Sequence, residues 1–347
     1  SDVGLLIIDE AHYNSFTKLF KFFSKSFLLG VTATPLSSNI NLPMSDNYEE
    51  LIVGESISEL IKNKFLAKAN LYTYNVGLTS LVVGANGDYT VKSSEELYTN
   101  NDMLSKLLLA YEERCQNRKT LIFNNGISTS LIVYDTFKRA GYDIKHLDNT
   151  ATKKQRYEIL KWFKNTENAI LTSVSILTTG FDEPSVKCII INRATKSLTL
   201  YYQMIGRGSR IIKNKNSFEL IDLGNNFYRF GEWGSEINWH KIFKNPMNYL
   251  DSIISDEEIE GRFRYEMPDE LKKMFSNSKC LDFNVEETYV NCIKRGDSSK
   301  KVLEKAIDHH SLICVENSDD EFDALILVKE LGDDINYIIK RYSKCIS

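Results

Sequence analysis

The chain has 347 residues, of which 42% are hydrophobic and 26% charged, and its formal net charge is −4 at pH 7. This composition is typical of a globular protein that can bury a sizeable core, and the acidic balance excludes a chain that coats nucleic acid through charge alone. No apolar run reaches the roughly 18 residues that a membrane-spanning helix needs.

The first third of the chain alternates apolar strand patterns with polar or helical segments. The predicted elements are, in order, two strands, an amphipathic helix and a strand: Leu5–Ile8, Phe27–Val31, Ser56–Leu66 and Asn70–Val76. We interpret residues 1–77 as the C-terminal part of a first domain. Residues 78–100, rich in Gly, Ser and Asn, are interpreted as a linker.

Residues 101–245 alternate helix and strand patterns regularly. Four helices are predicted at Met103–Cys115, Ser128–Ala140, Lys153–Phe163 and Leu198–Met204, and five strands at Thr120–Phe123, Ile144–Leu147, Ala169–Thr172, Val186–Ile191 and Phe218–Asp222. Such βαβ units imply an α/β fold with a doubly wound parallel sheet, and functional residues are expected where its strands end. Residues 246–347 are acidic, with helical stretches, and are interpreted as an accessory tail domain.

The basic residues are concentrated in one stretch, whereas the cysteines are scattered. From Arg193 to Lys244 there are nine Lys or Arg and four Asp or Glu, which suits either a local grip on a phosphate backbone or an ordinary solvated face. The six cysteines form no CxxC pair, which favours reduced thiols and a cytoplasmic location, or the host cytoplasm for a viral protein.

Two adjacent carboxylates follow the first predicted strand, in the sequence Asp9-Glu10-Ala11-His12. One carboxylate at a strand end can hold hydrated Mg²⁺, and the next can position and deprotonate an attacking water. The same pair is also compatible with the acidic first turn of a helix, where it would stabilise the helix dipole. Taken alone, the motif leaves both interpretations open.

Hydroxyl residues follow two other predicted strands. Thr32-Ala33-Thr34 can link a phosphate-sensing site to a moving neighbour through hydrogen bonds, or it can be a plain strand end stopped by Pro35. In Thr178-Thr179-Gly180-Phe181-Asp182, the glycine permits close approach to a phosphate and the aspartate can accept from a ribose hydroxyl.

Two arginines stand three residues apart in the sequence Gln203-Met204-Ile205-Gly206-Arg207-Gly208-Ser209-Arg210. At a helix end this spacing places both guanidinium groups on one face. Arginine suits phosphate because its planar fork donates two hydrogen bonds and stays charged, and an arginine finger in phosphoryl transfer contributes a factor of roughly 10³–10⁵ in rate. The same stretch could also be a basic surface loop.

The order and placement of these segments resemble those of the superfamily 2 helicases. The matching segments are Asp9–His12 for motif II, Thr32–Thr34 for motif III, Thr120–Asn124 for motif IV, residues 178–184 for motif V and Gln203–Arg210 for motif VI. The stretch from Ile221 to Trp239 resembles the close of the second motor domain in phage and repair DNA helicases and restriction-enzyme motor subunits. The resemblance covers about residues 1–245.

The resemblance implies two RecA-like parallel-sheet domains, the first incomplete, followed by the small helical tail. It implies an ATP-dependent helicase or translocase that hydrolyses ATP with Mg²⁺. Asp9 would hold Mg²⁺ through water and Glu10 would be the catalytic base. Gln203, Arg207 and Arg210 would approach the γ-phosphate, with Arg210 as the finger.

The remaining family positions imply binding and coupling roles. His12, Thr32 and Thr34 would couple the nucleotide state to strand movement, with His12 beside the nucleotide. Gly180 and Asp182 would line the nucleotide edge. The nucleic-acid positions would be Thr178, Thr179 and Asn124.

One part of the family pattern is missing from the sequence. No GxxxxGK[ST] loop occurs, so no Lys stands ready to cradle the β- and γ-phosphates. We therefore expect a motor truncated before motif II and inactive alone, with the missing half lost or supplied by a separate chain. A restriction-type motor or a non-catalytic nucleic-acid-binding remnant would also be compatible with these residues. DNA is preferred over RNA because the forms of motifs V and VI look like the DNA-directed branch.

Overall fold

The computed structural model describes residues 3–250 except 14, 15, 38–41, 75, 86, 175, 176, 178–180 and 214. The predicted tail over 246–347 lies outside this part of the chain, apart from its first five residues. Among the described helices, none has the length and apolar character that a membrane span requires.

The first sheet has two parallel strands, β1 (Leu5–Asp9) and β2 (Phe27–Val31), with the short helix α1 (Thr17–Phe20) between them. Their register pairs Leu5 with Phe27 and Asp9 with Val31. Both strands were predicted from their apolar runs, and the structure confirms them.

The two faces of this sheet have different environments. On one face, Ile8 packs with Ala11, Met44 and Phe243 in a small core. The other face carries paired apolar side chains that are 41–70% exposed: Leu5, Ile7, Phe27, Leu29 and Val31. A parallel sheet normally buries both faces, so within the described residues one face of β1 and β2 lacks its cover.

Helix α2 (Ile57–Lys62) is shorter than the predicted Ser56–Leu66. Ser56 and Glu59 form a capping box at its start, and Lys64 adopts a left-handed conformation (φ 62°) that ends it. The chain then enters β3 (Lys68–Thr73), which is hydrogen bonded to the second sheet rather than the first. The structure therefore differs from the predicted boundary at residue 77.

The second sheet contains six strands in the order β3-β8-β7-β4-β6-β5. Its remaining elements are α3 (Val91–Tyr98), α4 (Asn101–Arg114), β4 (Thr120–Asn124), α5 (Ile127–Arg139), β5 (Ile144–Leu147), α6 (Lys153–Asn165), β6 (Ile170–Val174), β7 (Cys188–Asn192), α7 (Leu198–Gly206) and β8 (Ser217–Asp222). The short helices α8 (Asn226–Phe230), α9 (Trp239–Lys244) and α10 (Pro246–Leu250) follow.

Strands β4 and β7 form the centre of this sheet, and every residue of both is buried. The pairs β4–β6, β4–β7, β5–β6 and β7–β8 are all parallel. Helices α5 and α6 contact β5, and α7 contacts β7. Continuous apolar strands of this kind are typical of a parallel sheet covered on both faces, so the predicted α/β class is confirmed.

The segment predicted as a linker, residues 78–100, packs against the second sheet. Tyr98 at the end of α3 is buried and its hydroxyl donates to the Leu223 carbonyl oxygen (3.1 Å). The Asp88 carboxylate accepts from the Thr195 hydroxyl and from the Lys196 amide, each at 2.7 Å. Glycine and serine content signalled flexibility there, but these buried contacts fix the segment.

Cys115, at the end of α4, and Cys188, at the start of β7, form a disulfide whose Cα atoms are 5.9 Å apart. Both residues are fully buried. This pair differs from the reduced thiols that the scattered cysteines led us to expect. Because its members lie 73 positions apart on different elements, no local spacing signals it.

Candidate functional site

The acidic pair lies where β1 ends. Asp9 is the last residue of the strand, and Glu10 adopts a left-handed backbone conformation (φ 51°) that few non-glycine residues take. The Glu10 amide donates to the Asp9 carboxylate (2.9 Å). The chain therefore turns sharply at this point, as a strand end does when it presents side chains to a ligand.

The pKa of the Glu10 carboxyl is raised, first by burial and second by the neighbouring Asp9 charge. The Arg207 guanidinium acts in the opposite direction and lowers it. A carboxylate with a raised pKa is a better proton acceptor than an ordinary one, which suits a general base.

His12 is buried beside the acidic pair. Its Nδ1 lies 2.9 Å from the Thr32 hydroxyl oxygen and 3.4 Å from a Glu10 carboxylate oxygen. Since the Thr32 hydroxyl donates to the Thr34 carbonyl oxygen (3.1 Å), its oxygen is left to accept from the Nδ1–H of His12. Burial lowers the pKa of His12 to about 4, so the ring is neutral at pH 7.

Thr34 extends this chain of contacts to the second sheet. Its side chain is buried, and its hydroxyl donates to the Thr199 hydroxyl of α7 (3.0 Å). The residues predicted to couple, His12, Thr32 and Thr34, therefore form one connected set that reaches the helix carrying Gln203.

Arg207 follows α7 directly as its C-terminal capping residue. Its guanidinium donates to the Phe181 carbonyl oxygen. Burial and the Arg210 charge lower the pKa of Arg207, whereas the charges of Asp182 and Glu10 raise it. Arg207 and Glu10, almost two hundred residues apart in the sequence, are therefore near enough for each charge to act on the pKa of the other.

Arg210 is exposed, and its Nε donates to the Asp182 carboxylate (3.2 Å). Asp182 was predicted to accept from a ribose hydroxyl, but here it holds Arg210. Gln203 lies half-buried on α7. Thr178, Thr179 and Gly180, predicted as nucleic-acid and nucleotide contacts, lie outside the described residues.

Asn124 ends β4 and is fully buried. Its amide nitrogen donates to the Thr172 hydroxyl (2.8 Å) and to the Ser173 carbonyl oxygen (3.3 Å), and its carbonyl oxygen accepts from Asn192 (2.8 Å). We predicted a direct nucleic-acid contact for Asn124. The structure differs, because the hydrogen bonds of this buried amide are made to the neighbouring strands β6 and β7.

A buried polar network continues from Asn124 and was missed in the sequence. The Thr172 hydroxyl lies 2.9 Å from that of Ser130, which lies 2.9 Å from His146 Nδ1. His146 Nε2 in turn lies 2.9 Å from the Asp148 carboxylate. The sequence signal for it was polar residues within otherwise apolar strands, and the network joins β4, β6 and β5 through Ser130 of α5.

Lys215 was also missed. It is 5% exposed, and its ammonium donates to three carbonyl oxygens, those of Pro184 (3.0 Å), Gly208 (2.7 Å) and Arg210 (2.8 Å). All three of its donors are therefore used, and they join the loop after Arg207 to the segment after Asp182. Desolvation, then the charge of Arg210, lowers the pKa of Lys215 to about 8.

The described residues fit one end of a magnesium nucleotide better than the other. Asp9 and Glu10 offer two carboxylates and Arg207 a guanidinium, groups that can hold hydrated Mg²⁺, accept a proton and bind a phosphate. Among the described residues no group of three or more His, Cys, Asp or Glu could hold a metal ion alone. Such a metal would therefore keep waters and nucleotide oxygens as its other ligands.

The chain is similar in sequence to known helicase-type proteins. Residues 99–212 match the model of the helicase conserved C-terminal domain. The chain is 27% identical over 244 residues to the "51.5 kDa protein" of a Lactococcus phage (isolate 7-9), covering 69% of this chain and 53% of the relative. It is also 27% identical over 235 residues to "Putative ATP-dependent helicase IRC3" of Saccharomyces cerevisiae, covering 64% and 34%.

The solved fragment of a "putative HsdR subunit of a type I restriction enzyme from Vibrio vulnificus YJ016" has a TM-score of 0.55 and 22% identity, covering 66% of this chain and 45% of that one. This likeness shows the fold. The chain spans about half or less of the length of these relatives. Together, residues 99–212 match the helicase conserved C-terminal domain, and the chain is similar in sequence to helicase-type proteins and in fold to a restriction-enzyme subunit.

Proposed function

We propose that the chain is part of an ATP-dependent motor that moves on nucleic acid, with DNA as its substrate. The observation that supports the proposal is that the charges of Glu10 and Arg207 act on each other's pKa. A carboxylate of raised pKa near a guanidinium supplies a base and a phosphate-binding cation, the two kinds of group that phosphoryl transfer uses.

Glu10 is the proposed base for the attacking water, because its raised pKa and partial exposure suit proton transfer to a carboxylate that solvent can reach. Asp9, beside it, is the proposed carboxylate for Mg²⁺, which would neutralise phosphate charge when bound. Arg207, whose charge lowers the pKa of Glu10, is the proposed γ-phosphate contact. Arg210 would join it on leaving Asp182, with Gln203 orienting the water.

Coupling would run through the hydrogen bonds from His12 to Thr199. A change at the phosphate alters the position of Glu10, and His12 is in contact with both Glu10 and Thr32. Thr34 then transmits the movement to α7, which leads to Arg207. Domain closure of this type allows two nucleic-acid-binding surfaces to move relative to one another.

The β-phosphate cradle would come from a further polypeptide segment, in cis or in trans. The sequence lacks a GxxxxGK[ST] loop, and the exposed face of β1 and β2 offers five apolar side chains to such a segment. The exposed face supports a split or longer motor, because parallel strands are stable when both faces are covered. We therefore expect weak ATP binding and negligible hydrolysis by these residues alone.

Titration of the chain with a fluorescent ATP analogue and Mg²⁺ tests the site. Arg207→Ala should weaken binding severalfold, whereas Lys213→Ala, an exposed cation on the same loop, should not. Glu10→Gln should leave binding intact and abolish residual hydrolysis. Equal affinity in all four proteins would contradict the proposed site. An ATPase rate comparable to that of an intact helicase, from this chain alone, would contradict the missing cradle.

A further inference from the structure

Helix α6 carries a basic stripe on its outer surface. Phe163 anchors the other side of the helix in the core, and Ile159, Leu160 and Trp162 pack beside it. The basic stripe consists of four exposed lysines and one exposed aromatic residue: Lys153, Lys154, Tyr157, Lys161 and Lys164.

The residues of the stripe share one side of the helix. At about 100° per residue they fall within an arc of about 100°, and from Lys153 to Lys164 they extend about 17 Å. Tyr157 lies near the middle and is 65% exposed. Glu158, at the border of the arc, is the acidic residue of this helix.

Helix stability does not explain the two lysines at the start of α6. Lys153 and Lys154 occupy the first turn, where positive charge opposes the helix dipole, and like charges repel along the stripe. Within the described part of the chain, none of the four lysines forms an ion pair. A surface that concentrates unpaired charge at a cost to the helix is suited to an anionic partner.

Two cation–aromatic contacts strengthen the positive surface. The Lys161 ammonium lies 5.9 Å from the centre of the Tyr157 ring, and the Lys145 ammonium of β5 lies 4.6 Å from that of Trp162. The first contact leaves Tyr157 between cations with a ring that solvent can reach. Lysines beside an exposed aromatic ring form the combination that binds a phosphate backbone and stacks on a base.

We propose that the basic stripe of α6 binds single-stranded nucleic acid, with its phosphates along the lysines and one base stacked on Tyr157. A membrane surface is the poorer partner, since an interfacial helix needs a broad apolar face and the stripe exposes one tyrosine. The proposal rests on the proposed function for its ligand class. It concerns a separate surface, shares no residue with the Glu10–Arg207 site and requires no ATP.

The salt dependence of binding tests the lysines. Fluorescence anisotropy of labelled oligo-dT and oligo-rU would be followed without nucleotide from about 50 to 200 mM salt, a range over which phosphate contacts lose affinity steeply. The variant Lys153→Gln/Lys161→Gln/Lys164→Gln should reduce the slope of log K against log salt by about 2, at about 0.7 per phosphate. The control Lys18→Gln/Lys62→Gln/Lys92→Gln removes the same charge from exposed positions off the stripe and should keep the slope.

Tyr157 provides a second measurement that is independent of charge. Tyr157→Ala should weaken binding about 5- to 100-fold with an unchanged salt slope, and Tyr157→Phe should restore it, because stacking requires the ring alone. Equal slopes in the two lysine variants, or tighter binding to phosphatidylserine vesicles through the same lysines, would overturn the proposal. The Arg207→Ala nucleotide titration is unaffected by either result, so the two proposals fail separately.

Discussion

The hydroxyl of Thr34 donates a hydrogen bond to the hydroxyl of Thr199 over 3.0 Å, and this contact joins the loop after β2 to the first turn of α7. The two residues are 165 positions apart. Thr34 is 1% exposed, so the bond is shielded from water on that side.

A double-mutant cycle measures the coupling between these threonines. Thr34→Val and Thr199→Val each remove one partner while preserving side-chain shape. We expect a coupling free energy of about 0.5–1.5 kcal/mol in urea unfolding, the range for an internal hydrogen bond. Strictly additive effects would show that the contact contributes nothing to the folded state.

His12 predicts a loss of stability on the acid side. Its folded pKa is about 4, below the value of about 6.5 in an unfolded chain. Below pH 6.5 the unfolded state therefore binds the proton first, and stability falls as the pH drops towards 4. At pH 5 this should cost about 2 kcal/mol relative to pH 7.

His12→Asn should lack that part of the acid dependence. The measurement is the free energy of unfolding in urea at pH 7 and pH 5 for the two proteins. His146→Asn is a matched control for loss of a hydrogen-bonded histidine elsewhere in the chain. An identical pH dependence in the wild type and His12→Asn would contradict a buried neutral ring.

Lys215 should be required for order in the loop that carries the arginines. Lys215→Met keeps the length of the side chain but leaves three carbonyl oxygens without their ammonium donor. We expect a loss of about 2–4 kcal/mol in unfolding free energy and faster amide hydrogen exchange over residues 206–210. Lys213→Met, two residues away and exposed, should change neither quantity.

Gly208 should tolerate no side chain, in contrast to Gly206. A Cβ at position 208 would clash with the Phe218 ring and lie 2.9 Å from the Ile189 side chain, whereas position 206 has nothing within 4 Å. Gly208→Ala should therefore destabilise the fold by about 1–3 kcal/mol, and Gly206→Ala should be neutral or slightly stabilising. Thermal unfolding of both variants distinguishes them, and equal melting temperatures would contradict this packing.

The fold was predictable where one chemical signal dominates. Apolar runs located β1, β2 and the central strands, and their alternation with helices gave the parallel sheet. The position of β3 was not predictable, because an apolar strand does not specify which of two sheets it joins. The packed segment around Asp88 was missed, since its order depends on Thr195 and Lys196, more than a hundred residues away.

The site was predictable in its members and less so in its contacts. Motif resemblance grouped Glu10 with Arg207, and in the structure each charge acts on the pKa of the other, but their roles stay predictions. Gly208, beside Arg207, is required by the close Phe218 ring, a packing constraint that the motif itself does not reveal. The buried position of Lys215 was not predictable, because the sequence pattern does not distinguish a buried lysine from a solvated one.

The exposed apolar face of β1 and β2 has a consequence for the solubility of the protein in a cell. Within the described residues, this two-stranded parallel sheet exposes a row of aliphatic and aromatic side chains, an apolar surface that another copy of the chain can cover. Chains made in excess of whatever covers that surface should pair with each other or be captured by chaperones. Abundance, and not only chemistry, would then decide how much of this protein remains soluble.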